Sequence, residues 1–428
     1  SHNFHSFPAK FPPQLPALFI HTLTQPGEVV LDPMMGSGTT VLEAYLAGRK
    51  SMGFDIDPLA IKIARVKTTP LKHRQIVQHC RRILENARSR VASQRAQLLS
   101  IMEQRWDKKT RNFIDYWFAP ETQLELLALI LEIEAIDDEA LRNFFEVVFS
   151  AIIITKSGGV SLALDLAHTR PHRAKVVVSR EGRVVQGKEL FHTGSKRKEM
   201  LTKRLRSPVE EFEKRCLINL EGIREMRPAS PTFPPELQFG NAQNLPLESC
   251  SVDLIVTSPP YASNAIDYMR AHKFSLVWLG YPMEDLSERR REYIGGEKIT
   301  EFRYEELPGR AARIVQEITR VDAKKGKVLH RYYSEMTRIL EEMYRVLKPG
   351  KAAIVVVGSS VMRGRDTETA RCLAEIGEAI GFRVPKIGVR RLDRNKRMMP
   401  AGAKLNRESQ IQQRMHEEFV IGFYKPEE

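Results

Sequence analysis

Short apolar runs separated by amphipathic stretches characterise the chain up to residue 68. Val29–Leu31 and Ser51–Phe54 predict buried strands. Thr39–Leu46 between them has the periodicity of a helix, which Gly48 is suited to end. Strands that alternate with helices in this way predict a parallel sheet covered by helices.

The same rhythm returns near residue 237, where Val252–Val256 predicts a strand that runs into Thr257. Residues 284–326 are charged and show no clear period, so we expect irregular chain there. The remaining predicted elements are two helices, a buried strand and a closing pair of antiparallel strands, at Tyr332–Leu347, Thr369–Ile380, Ala352–Val357, Arg383–Val389 and Glu418–Tyr424.

The residues between these two stretches follow a different pattern. Glu121–Ile136 and Ala140–Ile154 have helical periodicity, and residues 156–227 are rich in Lys, Arg, Gly and Pro. We therefore expect one α/β domain that is split by a largely helical and basic insert. Its predicted division is 1–69 for the first half, 70–235 for the insert and 236–428 for the second half.

The net charge of the chain indicates the kind of molecule that it binds. The formal net charge is +14 over 428 residues. Such a surplus favours a polyanion such as nucleic acid, because basic side chains neutralise phosphates and release counterions. The alternative is a generally basic protein that has no such partner.

The spacing of the cysteines and the hydropathy of the chain indicate its cellular compartment. Cys80, Cys216, Cys250 and Cys372 are far apart in sequence, so neither a zinc site nor a disulfide framework is expected, and no metal is predicted. Reduced thiols indicate a cytoplasmic protein. No apolar run approaches the length of a membrane span, so no membrane association is expected.

The first segment with chemical character is the turn after the first predicted strand. Gly36 and Gly38 permit positive φ and let a ligand lie against the backbone. Asp55 ends the next predicted strand, where an acid can accept both ribose hydroxyls of a nucleoside. A phosphate-binding loop would need a Lys before Thr39 and Thr40, and none is present. A nucleoside cofactor is therefore favoured, and a purely structural turn is the alternative.

The second such segment is Thr257-Ser258-Pro259-Pro260-Tyr261. An exocyclic amino group on a base is a poor nucleophile, because its lone pair is delocalised into the ring. Oxygen acceptors at Ser258 and at the Pro259 carbonyl can draw that nitrogen toward tetrahedral geometry. The two prolines stiffen the loop, and Tyr261 offers a face on which a flipped-out base can stack. The alternative is an ordinary turn at the end of a strand.

Together these segments resemble the bacterial amino-group DNA methyltransferases, which act on N4 of cytosine or N6 of adenine. The family's glycine motif, D-P-F-x-G-S-G-T-T, is matched by Asp32-Pro33 and Gly36–Thr40, with Met34 where Phe is usual. Its catalytic tetrapeptide, D, N or S followed by P-P and an aromatic, is matched by Ser258–Tyr261. The resemblance leaves residues 70–235 unexplained.

The resemblance implies the Rossmann-like fold of S-adenosylmethionine-dependent methyltransferases, a seven-stranded and mostly parallel sheet, with S-adenosylmethionine as methyl donor. Catalysis falls to Ser258, Pro259, Pro260 and Tyr261. The residues that it places at the cofactor come from the segment near the methionine end, the glycine turn, the ribose position and the adenine-contacting segment: Lys10, Phe11, Asp32, Pro33, Gly36, Ser37, Gly38, Thr39, Thr40, Asp55, Asn241 and Ala242.

The expected activity is site-specific methylation of N4 of cytosine in double-stranded DNA, by direct transfer to a flipped-out base. Serine at the head of the tetrapeptide is usual in the N4-cytosine enzymes and Asp or Asn in the N6-adenine enzymes. The open alternatives are an N6-adenine DNA methyltransferase, an RNA base amino-methyltransferase and a non-catalytic DNA-binding subunit. C5-cytosine chemistry is rejected, because none of the cysteines follows a proline.

Target recognition is expected from the insert, because the catalytic half carries only generic chemistry. Basic residues expected to contact nucleic acid are Arg170, Arg173, Lys196, Arg197 and Lys198. Metal ligation by the two histidines near Arg170, or a plain solvated loop, is the alternative there. A cognate restriction endonuclease is expected as a partner.

Overall fold

The structure is a computed structural model that describes residues 2–7, 12–166, 171–187, 201–224, 233–262, 267–295, 302–358, 360–391 and 417–427. Most of its helices bury one apolar face, as the three- and four-residue spacing of their apolar side chains requires. In chain order the described helices are α1 (Gln14–Leu23), α2 (Thr39–Leu46), α3 (Pro58–Thr68), α4 (His73–Ser93), α5 (Arg95–Arg105), α6 (Lys108–Trp117), α7 (Pro120–Glu134), α8 (Glu139–Ile153), α9 (Pro208–Arg224), α10 (Met269–Leu276), α11 (Met283–Arg289), α12 (Gly309–Val321), α13 (Ala323–Val346) and α14 (Thr369–Ile380).

The strands divide between one large sheet and two small ones. In chain order they are β1 (Val29–Asp32), β2 (Lys50–Asp55), β3 (Val176–Val178), β4 (Val184–Gln186), β5 (Thr202–Arg204), β6 (Glu236–Phe239), β7 (Val252–Thr257), β8 (Leu347–Gly358), β9 (Val361–Met362), β10 (Arg365–Asp366), β11 (Arg383–Arg391) and β12 (Glu417–Tyr424).

The large sheet has seven strands in the order β11-β12-β8-β7-β1-β2-β6. The run from β6 to β8 is parallel throughout, whereas β12 pairs antiparallel with both β8 and β11. This confirms the predicted seven-stranded, mostly parallel sheet and its closing antiparallel pair. The order of the strands reverses between β1 and β7, and sheets of this kind bind ligands outside the carboxyl ends of the strands at such a reversal.

The hydrophobic core lies on the central strands of this sheet. All six residues of β7 are buried, as expected for a parallel strand covered on both faces. Helix α13 packs on the sheet through fully buried side chains that include Tyr332, Met336, Leu340 and Met343. The carboxyl end of β7 is therefore held in a rigid, close-packed layer.

One region of the sheet half differs from expectation. Residues 284–326 are not irregular throughout, because α11 and α12 lie within them and α13 begins at Ala323 instead of Tyr332. In α12 the residues Ala311, Ile314, Val315 and Ile318 are buried, which is the spacing of a helix face. The high charge of the opposite face concealed this stripe. Strand β8 likewise begins earlier than predicted, at Leu347.

The described chain forms two compact units, named here for their content. The sheet unit contains the seven-stranded sheet, and the helical unit contains α4–α11 and the small sheet β4-β3-β5. The sheet unit comprises Lys10–Ile61, Pro228–Ile266 and Arg291–Glu428, and the helical unit comprises Ser1–Ala9, Lys62–Arg227 and Asp267–Arg290.

The roles assigned to 1–69, 70–235 and 236–428 stay predictions. The helical unit contains residues 70–227 of the predicted insert, and it also includes 62–69, the first segment Ser1–Ala9 and the later segment Asp267–Arg290. Within the described ranges, no helix is long and apolar enough to cross a membrane.

Candidate active site

The glycine turn joins β1 to α2. Gly36 and Gly38 have φ values of 48° and 74°, so both lie in the left-handed region that glycine adopts without strain. The turn is tied to the neighbouring strand, because the Met35 N–H donates to the Phe54 carbonyl at 3.0 Å. The Gly36 N–H donates to Asp55 Oδ2 at 2.8 Å. This strand–turn–helix arrangement is the one expected for a nucleoside site.

Asp55 ends β2 beside this turn and is half-buried. Its Oδ1 accepts the N–H of Asp57 at 2.8 Å, so each carboxylate oxygen holds one backbone donor and keeps a further lone pair. Burial, and then the nearby Asp57 carboxylate, raise the pKa of Asp55 to about 7. The group is therefore an acceptor pair whose charge changes near neutral pH.

The glycine turn and α2 pack closely on Gly53 of β2, a contact that was not predicted from the sequence. A β-carbon on Gly53 of β2 would come within 2.5 Å of Met35 Sδ and 2.8 Å of Val41 Cγ2. Only glycine lets the turn and α2 pack this closely on the strand. Gly53 thus belongs to the architecture of the site.

The segment after β7 is fastened to the sheet by side chains. Ser258 Oγ donates to the Val356 carbonyl of β8 at 3.1 Å. Tyr261 OH donates to Glu418 Oε1 of β12 at 3.3 Å. Pro259, between them, is buried. The loop therefore leaves β7 and is held by the two strands that follow β7 across the sheet.

Two hydrogen bonds join the glycine turn to this loop. Thr257 Oγ1 donates to Asp32 Oδ1 at 2.7 Å, and Thr40 Oγ1 donates to the Val256 carbonyl at 3.1 Å. Asp32 is buried, and that burial raises its pKa to about 6. The two motifs, more than 200 residues apart in the chain, thus form one connected site at the carboxyl ends of β1 and β7.

The chain has recognisable relatives. The profile of the N6_N4_Mtase family, described as DNA methylase, matches residues 1–66. The Type II methyltransferase M.MvaI of Kocuria varians is 23% identical over 402 residues, which are 88% of this chain and 80% of that protein. M.BsoBI of Geobacillus stearothermophilus is 24% identical over 411 residues, 84% of this chain and 74% of that protein.

Both comparisons support the family of N4/N6 amino-group DNA methyltransferases.

The protein uses S-adenosylmethionine as its methyl donor. The groups at the carboxyl edge of the sheet fit that cofactor. Gly36 and Gly38 present backbone without side chains, and Asp55 presents carboxylate lone pairs suited to ribose hydroxyls. These residues would hold the nucleoside part of the cofactor beside the loop at Ser258.

Other predicted cofactor residues of this methyltransferase have different surroundings. Pro33, Ser37 and Thr39 are buried in the turn and the first turn of α2. Thr40 and Asp32 use polar atoms on the β7 segment, as described above, so both stabilise the site from within. Their direct contact with the cofactor stays a prediction.

The segment after β6 lies beside Asp55. The Gly240 N–H donates to the Asp55 carbonyl at 3.1 Å, and a β-carbon on Gly240 would be 2.8 Å from Phe54 Cδ1. Asn241 is exposed and accepts the Gln243 N–H through Oδ1 at 3.0 Å, whereas Ala242 is buried. The position suits the predicted adenine contact, which stays a prediction.

Of the residues predicted to contact nucleic acid, only Arg173 lies within the described ranges. Arg173, in the helical unit, donates through Nε to the Tyr116 carbonyl at 2.7 Å and lies over the Tyr116 ring at 4.8 Å. The predicted residues that lie outside the described ranges are Lys10, Phe11, Arg170, Lys196, Arg197 and Lys198.

Two residues that support the catalytic loop were not predicted from sequence. Glu418 is buried on β12, and Arg390 of β11 pairs with it across the strands. The available signal was an acidic residue at a buried position of an otherwise apolar strand. Such a residue is rarely buried without a partner.

Proposed function

We propose that this protein is a site-specific DNA methyltransferase that transfers the methyl group of S-adenosylmethionine to N4 of a cytosine flipped out of the duplex. The observation that carries this proposal is the state of the Ser258 hydroxyl. Its single hydrogen is donated to the Val356 carbonyl, so the oxygen can offer only lone pairs to a substrate. An oxygen in that state can accept an N–H bond from the amino group of a base.

Pro259 and Pro260 serve the same purpose. Neither has a backbone N–H, so this part of the loop offers carbonyl acceptors and no donor that would oppose an amino group. With the Ser258 oxygen and the Pro259 carbonyl accepting its two N–H bonds, the amino nitrogen moves toward tetrahedral geometry. Its lone pair then leaves the π system of the ring and becomes nucleophilic.

S-adenosylmethionine supplies a methyl group on a positively charged sulfur, which such a lone pair can take directly. Tyr261 stacks on the base while the loop acceptors hold its amino group in line. The amino nitrogen forms its bond to the methyl carbon as the carbon–sulfur bond breaks, and it then releases one proton to solvent. Positioning and acceptors suffice for this step, so we expect no covalent bond between protein and base.

Adenine N6 is the second candidate target. Adenine presents a ring nitrogen beside its amino group, as cytosine does, so the acceptors at Ser258 and Pro259 suit either base. Serine at the head of the tetrapeptide supports cytosine through the resemblance to N4-cytosine enzymes.

Expression in a host without DNA methylation tests the product. Nucleoside mass spectrometry should find N4-methylcytosine in the host DNA, and modification-sensitive sequencing should place it within one recurring sequence. The matched control is Ser258→Ala, which should leave that DNA almost unmodified. N6-methyladenine alone would overturn the cytosine assignment, and methylated RNA with unmethylated DNA would overturn both DNA proposals.

We also propose that residues 70–235 supply most of the target recognition, through Arg170, Arg173 and the cluster Lys196, Arg197 and Lys198. The support is the basic composition of 156–227 and the positive net charge of the chain. Neutralising the three cluster residues should weaken DNA binding and reduce the slope of log affinity against log salt by about 0.9 per lost phosphate contact.

Arg95 provides the control for that measurement. It already forms an exposed ion pair with Glu121 at 2.7 Å, so Arg95→Gln should leave the salt slope nearly unchanged. Equal slopes for wild type and the cluster variant would remove Lys196, Arg197 and Lys198 from the interface.

The biological setting that we propose is restriction and modification in the cytoplasm, beside a cognate endonuclease. The support is that the relatives which align with most of the chain are named Type II methyltransferases. DNA methylated by this protein should resist one endonuclease that cleaves the same unmodified sequence. Cleavage of methylated and unmethylated DNA at equal rates would count against that role.

A further inference from the structure

The stacking residue of the catalytic loop depends on a pair of charged side chains contributed by the last part of the chain. We infer that Glu418 and Arg390 form a positioning pair that fixes the Tyr261 ring for capture of the target base. The inference rests on the proposed function, and it assigns to β11 and β12 a part in the reaction beyond closing the sheet.

The contacts form a short chain from the sheet to the ring. Arg390 and Glu418 are directly opposite one another across β11 and β12. Arg390 Nε donates to Glu418 Oε2 at 3.0 Å, and the other carboxylate oxygen accepts the Tyr261 hydroxyl at 3.3 Å. The two oxygens of the carboxylate thus hold different groups, since one binds the guanidinium and the other binds the phenol.

Burial makes this arrangement specific. The Glu418 side chain is 10% exposed, whereas the Arg390 side chain is 33% exposed. A carboxylate this buried needs a charged partner, and a charge-assisted hydrogen bond is stronger and more directional than a neutral one. Arg390 therefore orients the Glu418 carboxylate, and the oriented carboxylate restrains the hydroxyl of Tyr261.

The protonation state of Tyr261 agrees with its role as donor. Burial, and then the neighbouring Glu418 carboxylate, raise the pKa of the Tyr261 phenol above its usual value. The phenol keeps its proton at every pH at which the enzyme would work. The hydrogen bond to Glu418 is therefore present throughout the reaction.

A fixed ring favours base capture for an entropic reason. Stacking gains free energy only when the aromatic face is held parallel to the incoming base, and a ring held in advance loses little freedom on binding. The Ser258 hydroxyl is held by β8 in the same way, through Val356. The Tyr261 ring and the Ser258 acceptor are thus each held by a strand, β12 and β8, that pair with one another.

The decisive test is a double-mutant cycle of Tyr261→Phe and Glu418→Ala in the full-length protein. Single-turnover methylation and the fluorescence of 2-aminopurine at the target position are measured once the recognition sequence is known. Each single variant should lower the transfer rate by about 10-fold, the size of one hydrogen bond, and should reduce the flipped-base signal. The double variant should be no slower than either single variant, because both changes remove the same bond.

Further variants separate positioning from general damage. Glu418→Gln keeps an acceptor for the phenol and should retain most of the activity. Glu417→Ala is the matched control, because Glu417 adjoins Glu418 in β12 but is half-exposed and lies 4.0 Å from Arg391. S-adenosylmethionine binding by calorimetry should be unchanged in all these variants, which shows that each is folded.

The outcomes are distinguishable. An active wild type in which the effects of Tyr261→Phe and Glu418→Ala multiply, or in which Glu418→Ala behaves like Glu417→Ala, overturns the positioning role alone. Should Glu418→Ala fail to fold, a loss in Tyr261→Phe that Glu418→Gln does not share still supports the role, and equal activity of Tyr261→Phe and wild type overturns it. Absence of DNA methylation by wild type overturns the proposed function and this inference with it.

Discussion

The glycine turn and the catalytic loop lie side by side, but they are stabilised in opposite ways. The turn is held by nearby chain, since Gly36 and Asp55 are 19 residues apart. The loop is held by distant chain, since Ser258 and Tyr261 are 98 and 157 residues from Val356 and Glu418. The Gly36–Asp55 contact can therefore form within one local segment, although Asp32 and Thr40 also bind β7, whereas the contacts of the loop form only when β8 and β12 have joined the sheet.

The largest expected effect tests the local half of this comparison. Gly38→Val places a branched side chain in a left-handed position at the start of α2, where the cofactor must lie against the backbone. We expect S-adenosylmethionine affinity to fall by more than about 10²-fold, equivalent to about 3 kcal/mol. Calorimetry measures this.

Gly48→Val is the control for backbone strain. Gly48 has the same φ of 74°, and its β-carbon would meet open space. That variant should lose stability but keep its cofactor affinity. Equal loss of affinity in both variants would show that strain alone, and not the cofactor site, explains the result for Gly38.

The second largest expected effect tests the catalytic loop, which is held by distant parts of the chain. Ser258→Ala removes the acceptor for the amino group and leaves the glycine turn intact. The rate of methyl transfer should fall by about 10²-fold if one acceptor contributes near 3 kcal/mol, with S-adenosylmethionine affinity unchanged. A parallel loss of affinity would mean that the two halves of the site are not separable.

Loss of the hydrogen bond between Thr257 and Asp32, which joins the catalytic loop to the glycine turn, should destabilise the fold. Thr257→Val keeps the shape of the side chain but leaves the buried Asp32 carboxylate without its 2.7 Å donor. The free energy of unfolding should decrease by about 1–3 kcal/mol. Because the lost bond favours ionised Asp32, the decrease should be larger at pH 8 than at pH 5, which denaturation at the two pH values can measure.

The smallest effect is a pH dependence of cofactor binding. The pKa of Asp55 is raised to about 7, so its ionised form, which accepts both ribose hydroxyls, is lost as the pH falls through 7. Affinity for S-adenosylmethionine should therefore drop by up to about tenfold between pH 8 and pH 6.

Asp57→Asn sharpens that measurement. The Asp57 carboxylate helps to raise the pKa of Asp55, and its Oδ1 also accepts the Leu59 N–H at 2.9 Å, a bond that asparagine can replace. The midpoint of the affinity profile should move to lower pH in this variant. An unmoved midpoint would assign the pH dependence to another group.

The same contrast explains what could be predicted from sequence. The β1–α2 turn and β7 were predicted because local spacing determines them, and the motif at Ser258 follows its strand directly. Glu418 and Arg390 were missed because their role depends on which strands become neighbours, and no short pattern contains that information. Helix α12 was missed because the charged side chains of its opposite face hide its apolar stripe.

The outermost strand of the sheet has a consequence for the protein in solution. Among the described residues, one edge of β11 has no partner in the large sheet, and an unpaired edge can recruit a strand from another molecule. Here the edge carries Arg383, Lys386, Arg390 and Arg391, and Pro385 interrupts its regular register. Two copies would bring like charges together along a kinked edge, which disfavours strand-by-strand aggregation.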